Sequence, residues 1–525
     1  MHFSRRNFFI ILTVIILLGT FLRFYKLGEV SFSADEFLGV NVSYGYLQTG
    51  EWKRWDFNLN KLAKDKPYFK TVFDFDIWNG GEKSYTRAWA YNWQIVQALK
   101  FLPLEEESTF RAISALWGIV TILIIYWIAT AFTGNKIIGL ISAFLFAVSI
   151  DGITFDRKVR MYAMFLPIFL LFSYFVYQFF ESRKYLGSEL VEKIKLKTGF
   201  NIIYIIPAVA LGLLSMHLHL LTINIIPAIL VYFLALAFVE FRNRKVFLNR
   251  YAIYILITAV LSVALFIFYP NISSLLKSFL TLDNHFSYFG KVLNDYASVI
   301  LTPIITIAGI IYLWKKKRKE CVFISSLFFT ALLMAVFFWN RNAGEQYIFF
   351  AKPFQIILLA SGIYFTAEFV GKNFKRYGKK VRWASLLILL LLLPNYAYFF
   401  QENNAYHQNS NSELPNYRKV FNYFLKKRGA DDILITRNFR NYYFAGANVN
   451  IATFGGERSA KESRRLTEER LKKIRRENSC GWLIWSENDE NFISKDAREY
   501  ISKELPRVSD SKVRGKITVN RWCDE

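Results

Sequence analysis

About eleven stretches of this chain are long and apolar enough to cross a bilayer, which takes roughly 20 residues of helix each. They fall at about 7–25, 109–132, 136–155, 161–180, 201–217, 219–240, 251–270, 296–314, 320–339, 346–370 and 382–400. No water-soluble globule hides so much continuous apolar length. Composition agrees: 54% of the 525 residues are hydrophobic, 18% are aromatic, and Phe alone occurs 52 times. The expected fold class is an α-helical polytopic membrane protein.

Charge supports the same reading. The formal net charge is +25. The basic clusters "SRR", "SRK", "FRNRK", "KKKRK" and "KRYGKK" each abut an apolar run. That is the positive-inside pattern of cytoplasmic loops rather than a stripe that tracks nucleic acid, so nucleic acid is excluded as a partner and membrane lipids are expected. With the N-terminus in the cytoplasm as an uncleaved signal anchor, the loops after the even-numbered helices become cytoplasmic. Those loops carry Lys136, Lys184, Arg244 and the clusters at Lys315 and Lys375. The outer side then receives a long first loop (26–108), the short "FDRKVR" and a tail. The division expected is a transmembrane domain over 1–400 and an extracytoplasmic domain over 401–525.

In the tail, "ILIT", "VNIATF", "WLIW" and "KITVNRW" read as strands, while "YRKVFNYFLKK" and "KESRRLTEERLKKIRRE" read as helices. A small α/β domain is expected. Cys480 and Cys523 both fall in it, either paired or as free thiols.

Chemistry is expected where charges sit against the membrane rim. Asp35 and Glu36 follow the first span by about ten residues, in the apolar and aromatic "SFSADEFLG". A carboxylate in such a partly dry setting is suited to general-base work. "FDRKVRMY" places Arg157, Lys158 and Arg160 at the outer end of two spans, where positive charge is disfavoured unless it has a task. Arg forks match phosphate, and Lys adds a point charge. The plainer roles are contact with lipid head groups or pairing with Asp151 and Asp156. Lys352, about two turns into an apolar run, is functional by default at that depth, with snorkelling as the plainer reading. Asp74 and Asp76, in "FDFDIW", have a D-x-D spacing that can hold a divalent cation, with ordinary loop structure as the plainer reading. His217, His219 and His285 read as interface or loop histidines. A carboxylate base beside outward cations suggests transfer from a phosphorylated, lipid-anchored donor, the phosphate being the leaving group.

"LRFYKLGEVSFSADE" and the long loop after it resemble the opening of the C-type polyprenyl-phosphate-dependent glycosyltransferases, which include protein O-mannosyltransferases and lipid A aminoarabinose transferases. "TFRAISALWGIV" through "TGNK" resembles that family's next helices, "DRKVRMYAM" its arginine–tyrosine signature, and "EQYIFFAKPF" a weaker late motif. The resemblance implies a C-type glycosyltransferase fold. It implies that a sugar moves from a polyprenyl-phosphate donor to a protein, lipid or glycan acceptor outside the cytoplasm. Asp35 matches the base, with Glu36 completing the pair. Arg160 and Tyr162 match the donor signature, Arg111 a structural arginine and Tyr347 the late aromatic. Gln346 stands where an arginine is usual, and Lys352 or Arg341 would substitute for it at the donor phosphate. An oligosaccharide transferase or polymerase using a diphosphate-linked glycan, or a lipid transporter or flippase, is the alternative.

Overall fold

The computed structural model describes residues 5–63, 88–102, 106–182, 189–268, 284–338, 344–374, 377–408, 415–437, 440–455, 465–508 and 517–523. Its helices run α1 (Arg5–Phe24), α2 (Glu36–Thr49), α3 (Trp89–Leu99), α4 (Glu107–Thr133), α5 (Lys136–Ala147), α6 (Ile150–Asp156), α7 (Tyr162–Glu181) and α8 (Glu189–Thr198). They continue as α9 (Ile205–Leu218), α10 (Ile225–Arg244), α11 (Arg250–Phe268), α12 (Ser287–Lys291), α13 (Leu301–Lys316), α14 (Arg318–Phe337), α15 (Lys352–Asn373) and α16 (Gly378–Leu392). The tail adds α17 (Tyr417–Lys427), α18 (Glu468–Glu477) and α19 (Lys495–Glu504). Strands are β1 (Trp55–Asp56), β2 (Lys61–Leu62), β3 (Ile433–Arg437), β4 (Asn450–Phe454), β5 (Cys480–Ser486) and β6 (Ile517–Cys523).

Each apolar run of the sequence contains helix among the described residues. Among the described residues, six helices are long and apolar enough to span a membrane alone, and α5 with α6 forms a seventh span bent by 60°. The remaining apolar helices are shorter. The protein is a multi-pass membrane protein. Its chain packs as two compact units: Met1–Phe24, Ser114–Asp156 and Met161–Phe399 in one, and Tyr25–Ile113, Arg157–Arg160 and Phe400–Glu525 in the other.

In the helical unit α15 is central. Ile356, Ile357, Leu358, Leu359 and Ala360 are all fully buried, so apolar side chains surround the helix on every side. Lipid-facing surface lies elsewhere, as at Leu17 of α1, Phe238 of α10 and Val260 of α11. Two glycines let α13 and α15 touch backbone to backbone. A Cβ on Gly309 would stand 2.0 Å from the Leu358 carbonyl oxygen, and one on Gly362 would stand 1.8 Å from that of Ile305. Small residues serve this purpose in membranes, where packing rather than water exclusion drives helices together.

The bend between α5 and α6 frees backbone groups that lipid cannot satisfy. Asp295 supplies partners. It accepts from the Ser149 hydroxyl at 2.7 Å and from the Asp151 amide at 2.9 Å. A second buried pair fixes the first helix to the same segment: Arg23 donates from Nε to Asp156 at 2.8 Å, and both side chains are fully buried. Arg23 also reaches the carbonyls of Gly19, Ala147 and Phe146. Gly118 makes room, since a Cβ there would meet Asp156 at 2.3 Å and Arg23 at 2.5 Å.

The second unit contains a four-stranded sheet in the order β4-β3-β5-β6. β3 is parallel to both β4 and β5, and β6 is antiparallel to β5. Cys480 and Cys523 pair across the β5–β6 register and are disulfide-bonded. On α17, Tyr417, Val420, Phe421 and Phe424 are buried at helical spacing. Leu471 and Ile474 of α18 and Ala497 and Ile501 of α19 join Ile435, Phe454 and Leu483 in one apolar core. The first loop belongs to this unit too. Asn58 exchanges two hydrogen bonds with the backbone of Val449, at 2.9 and 2.8 Å.

Replacing Gly362 by Val should lower the thermal midpoint in detergent, at a cost of about 1–3 kcal/mol or more because the obstacle is backbone. Gly290→Ala, with nothing within 4 Å of the added carbon, should leave it unchanged.

Candidate active site

The acid pair stands at the start of α2, and its two members have opposite fates. Consecutive residues at a helix start point about 100° apart. Glu36 turns inward and is 1% exposed; Asp35 turns outward and is 69% exposed. Glu36 accepts a fork from Arg111: Nε to Oε1 at 2.8 Å and Nη2 to Oε2 at 3.0 Å. It also accepts the Ser33 amide at 2.8 Å and the Val159 amide at 2.9 Å. Arg111 spends its other donors on the carbonyls of Leu27, Val30 and Ser31. Burial alone would push the Glu36 carboxyl up. The Arg111 charge and these hydrogen bonds outweigh it and hold the carboxyl below its ordinary value.

Asp35 occupies the N-cap position of α2, yet its side chain makes no capping bond. Aspartate is favoured there because its side chain usually accepts from the helix's own first amides. Here it faces Arg160 instead, with Oδ2 at 3.5 Å from Nη2, and Arg160 also reaches the Asp35 carbonyl at 3.4 Å. The Val159–Glu36 bond carries the 157–160 segment to this place. An exposed base, not the partly dry one expected from the sequence, and a cation thus share one edge, above a buried ion pair that fixes both.

The other sequence-derived candidates separate. Arg157 is buried, and its guanidinium donates to the carbonyls of Tyr25 at 2.7 Å, Lys26 at 2.8 Å and Ala405 at 3.2 Å. It lies 4.5 Å from the Tyr406 ring centre. These bonds make it a tie between three segments rather than a group held ready for an anion. Lys158 is half-buried beside it. Tyr162 lies in the helical unit, buried against the rings of Phe155 and His219. Tyr347, also there, is half-buried in a short 3-10 turn. Lys352 is 2% exposed, and its ammonium sits between Asp151 at 2.8 Å and Asp295 at 3.1 Å. Snorkelling does not describe it, and two carboxylates already neutralise the charge expected for a phosphate. Arg341, Asp74 and Asp76 lie outside the described residues. Among the described residues no three His, Cys, Asp or Glu side chains gather as a metal-ligand set.

Several supporting residues went unnoticed in the sequence. Tyr443 accepts from the Phe32 amide at 2.7 Å and donates to Glu107 at 2.8 Å. Burial, then the Glu107 charge, raises its phenol well above the usual value, so it remains a donor. Arg418 bridges Glu107 and the carbonyls of Gly28 and Glu29. Gln408 accepts from the Ser31 amide at 3.1 Å. The tail therefore grips residues 28–32, the approach to Asp35. Glu107 is the one member with a local signal, the last acid of "LEEE" and the first residue of its helix.

No protein-family model matches the sequence, and no curated protein matches it. Solved structures do resemble its fold. An oligosaccharyltransferase of Archaeoglobus fulgidus in the apo form has a TM-score of 0.59 at 11% identity, covering 93% of this chain and 70% of that one. The same organism's AglB oligosaccharyltransferase, in complex with an inhibitory peptide and a dolichol-phosphate, scores 0.58 at 10% identity over 92% and 70%. ArnT from Cupriavidus metallidurans, bound to undecaprenyl phosphate, scores 0.54 at 10% identity over 99% and 98%. The chain has the C-type glycosyltransferase fold that these structures share.

Glu36→Gln should cost about 3–5 kcal/mol, because it strands the buried Arg111 charge. A depressed carboxyl contributes stability that is complete above its unfolded value, about 4.3, and is lost as pH falls through the folded value. Unfolding of the parent should therefore steepen with acid below about pH 4, more than that of the variant. Tyr443→Phe should speed amide exchange at Phe32 by about tenfold, equivalent to about 1.4 kcal/mol, as one buried bond to the loop is lost.

Proposed function

We propose that this chain is a membrane glycosyltransferase that moves a monosaccharide from a polyprenyl-phosphate donor to an acceptor on the extracytoplasmic side. The observation that carries the reading is the Asp35–Arg160 edge: an exposed carboxylate and a cation 3.5 Å apart, on a fold shared with enzymes solved with lipid phosphates. Asp35 takes the proton from an acceptor hydroxyl or amine as that atom attacks the anomeric carbon. The bond from that carbon to the phosphate oxygen breaks, its electron pair stays on the phosphate, and polyprenyl phosphate leaves. Arg160, with Lys158, offsets the growing charge on the leaving oxygen. Arg157 and Lys352 are assigned to scaffolding, since their donors are already engaged by protein oxygens. Glu36 acts on the reaction only by holding Asp35 in place.

The N-terminus faces the cytoplasm and the sheet domain lies outside, in keeping with the basic clusters that flank the apolar runs.

Incubating the purified protein with a panel of polyprenyl-phosphate sugars, and with a diphosphate-linked oligosaccharide, tests this. Transfer should occur with one of the monophosphate donors. Asp35→Asn should slow it by about 10²–10⁴-fold, the usual share of a general base. The thermal midpoint should not move, because Asp35 is largely exposed. Arg160→Gln should lower kcat more than it raises the KM for donor, because the charge it offsets grows only as the phosphate leaves. Parental rates in Asp35→Asn would remove the assignment of the base, and transfer from the diphosphate glycan alone would replace the donor.

A further inference from the structure

A second charged site lies wholly within the helical unit, far along the helices from Lys352. There α13 ends and α14 begins, separated by Lys317 alone. Beside this corner is an open cavity of about 300 Å³. Lys315, Lys316, Arg318 and Lys319 line it, against the single carboxylate of Glu240. Lys319 is paired with the buried Glu181, so Lys315, Lys316 and Arg318 face Glu240 among the lining residues and leave a positive hollow. Its remaining wall is apolar, formed by Leu236 and Val239 of α10 with Trp314 of α13.

Two features distinguish this hollow from a loose run of lysines. Glu181, 2% exposed, takes bonds from Arg250, Lys319 and the Tyr251 hydroxyl. That buried anchor sets Lys319 and Tyr251 into the cavity wall. Arg318 lies over the Trp314 ring, 5.1 Å from its centre, so charge and apolar face are held side by side. Trp314 is 40% exposed, and the turn leading into Tyr251 presents Phe247 at 81% and Leu248 at 65% exposure. Apolar side chains so open, at the end of membrane helices, belong in lipid.

We infer that this hollow binds the phosphate head group of an anionic phospholipid, with the acyl chains lying along Leu236, Val239 and Trp314. The chemistry demands both halves. A soluble phosphate would leave the apolar wall wet, and a neutral lipid would leave the cations unopposed. Basic pockets between membrane helices hold acidic head groups in this way. The inference is independent of the glycosyl-transfer reading.

Native mass spectrometry of the full chain in detergent tests it, with dioleoylphosphatidylglycerol, dioleoylphosphatidylcholine and inorganic phosphate as probes. The parent should retain phosphatidylglycerol over phosphatidylcholine. The combined variant Lys315→Gln, Lys316→Gln and Arg318→Gln should lose that retention by about tenfold or more, given the worth of each surface cation towards anionic lipid. Lys426→Gln with Lys427→Gln, a basic pair at the end of α17, should retain it. Trp314→Ala keeps all the charges and should still weaken lipid retention, which decides the matter if the triple variant fails to fold. Equal retention of the two lipids, unchanged retention in both pocket variants, or displacement of the lipid by equimolar phosphate would overturn the proposal.

Discussion

The buried Glu36–Arg111 pair is the constraint on which the loop region depends. Taking two ions out of water costs several kcal/mol each and is recovered only if every remaining donor and lone pair finds a partner. Here Arg111 also serves three carbonyls of residues 27–31, and Glu36 also serves two amides, one of them from the 157–160 segment. Segments about 120 residues apart are thereby brought to one point. Asp35 owes its position to its neighbour, and its exposure to the helix geometry that turns the two side chains apart.

The helical unit follows the same logic under a harsher solvent. Lipid offers no hydrogen bonds, so each polar interruption of an apolar run must be answered from another helix. Arg23 is answered by Asp156, and the α5–α6 bend is answered by Asp295. Lys352 completes the second arrangement by facing both Asp151 and Asp295. Charges that look functional by depth alone are here the means by which bent helices keep their backbone satisfied.

Much of the architecture was legible. Apolar runs of span length became helices because bilayer thickness leaves few other options, and the four tail strands appeared where β-branched and aromatic residues cluster. Helix α19 was missed because only Ala497 and Ile501 are buried on it, too faint a stripe to read. The Asp35–Glu36 pair stood out, but the division of labour within it did not. Which of two adjacent acids faces Arg111 is set by where a helix starts, and such boundaries are the least legible feature of a sequence. Arg157 and Arg160 looked alike for a similar reason. One finds the carbonyls of Tyr25 and Lys26, the other the edge of Asp35, and no local pattern distinguishes them. Tyr443 and Arg418 were invisible because their partners lie more than 300 residues earlier.

That last separation has a consequence for how the molecule comes to be made. Residues 28–32 and Glu107 leave the ribosome well before Gln408, Arg418 and Tyr443, their partners lying between 311 and 411 residues further on. Long-range pairings of this kind close slowly and late. Until then the segment beside Asp35 must wait unlatched, so a nascent or truncated chain holds its carboxylate without the frame that aims it.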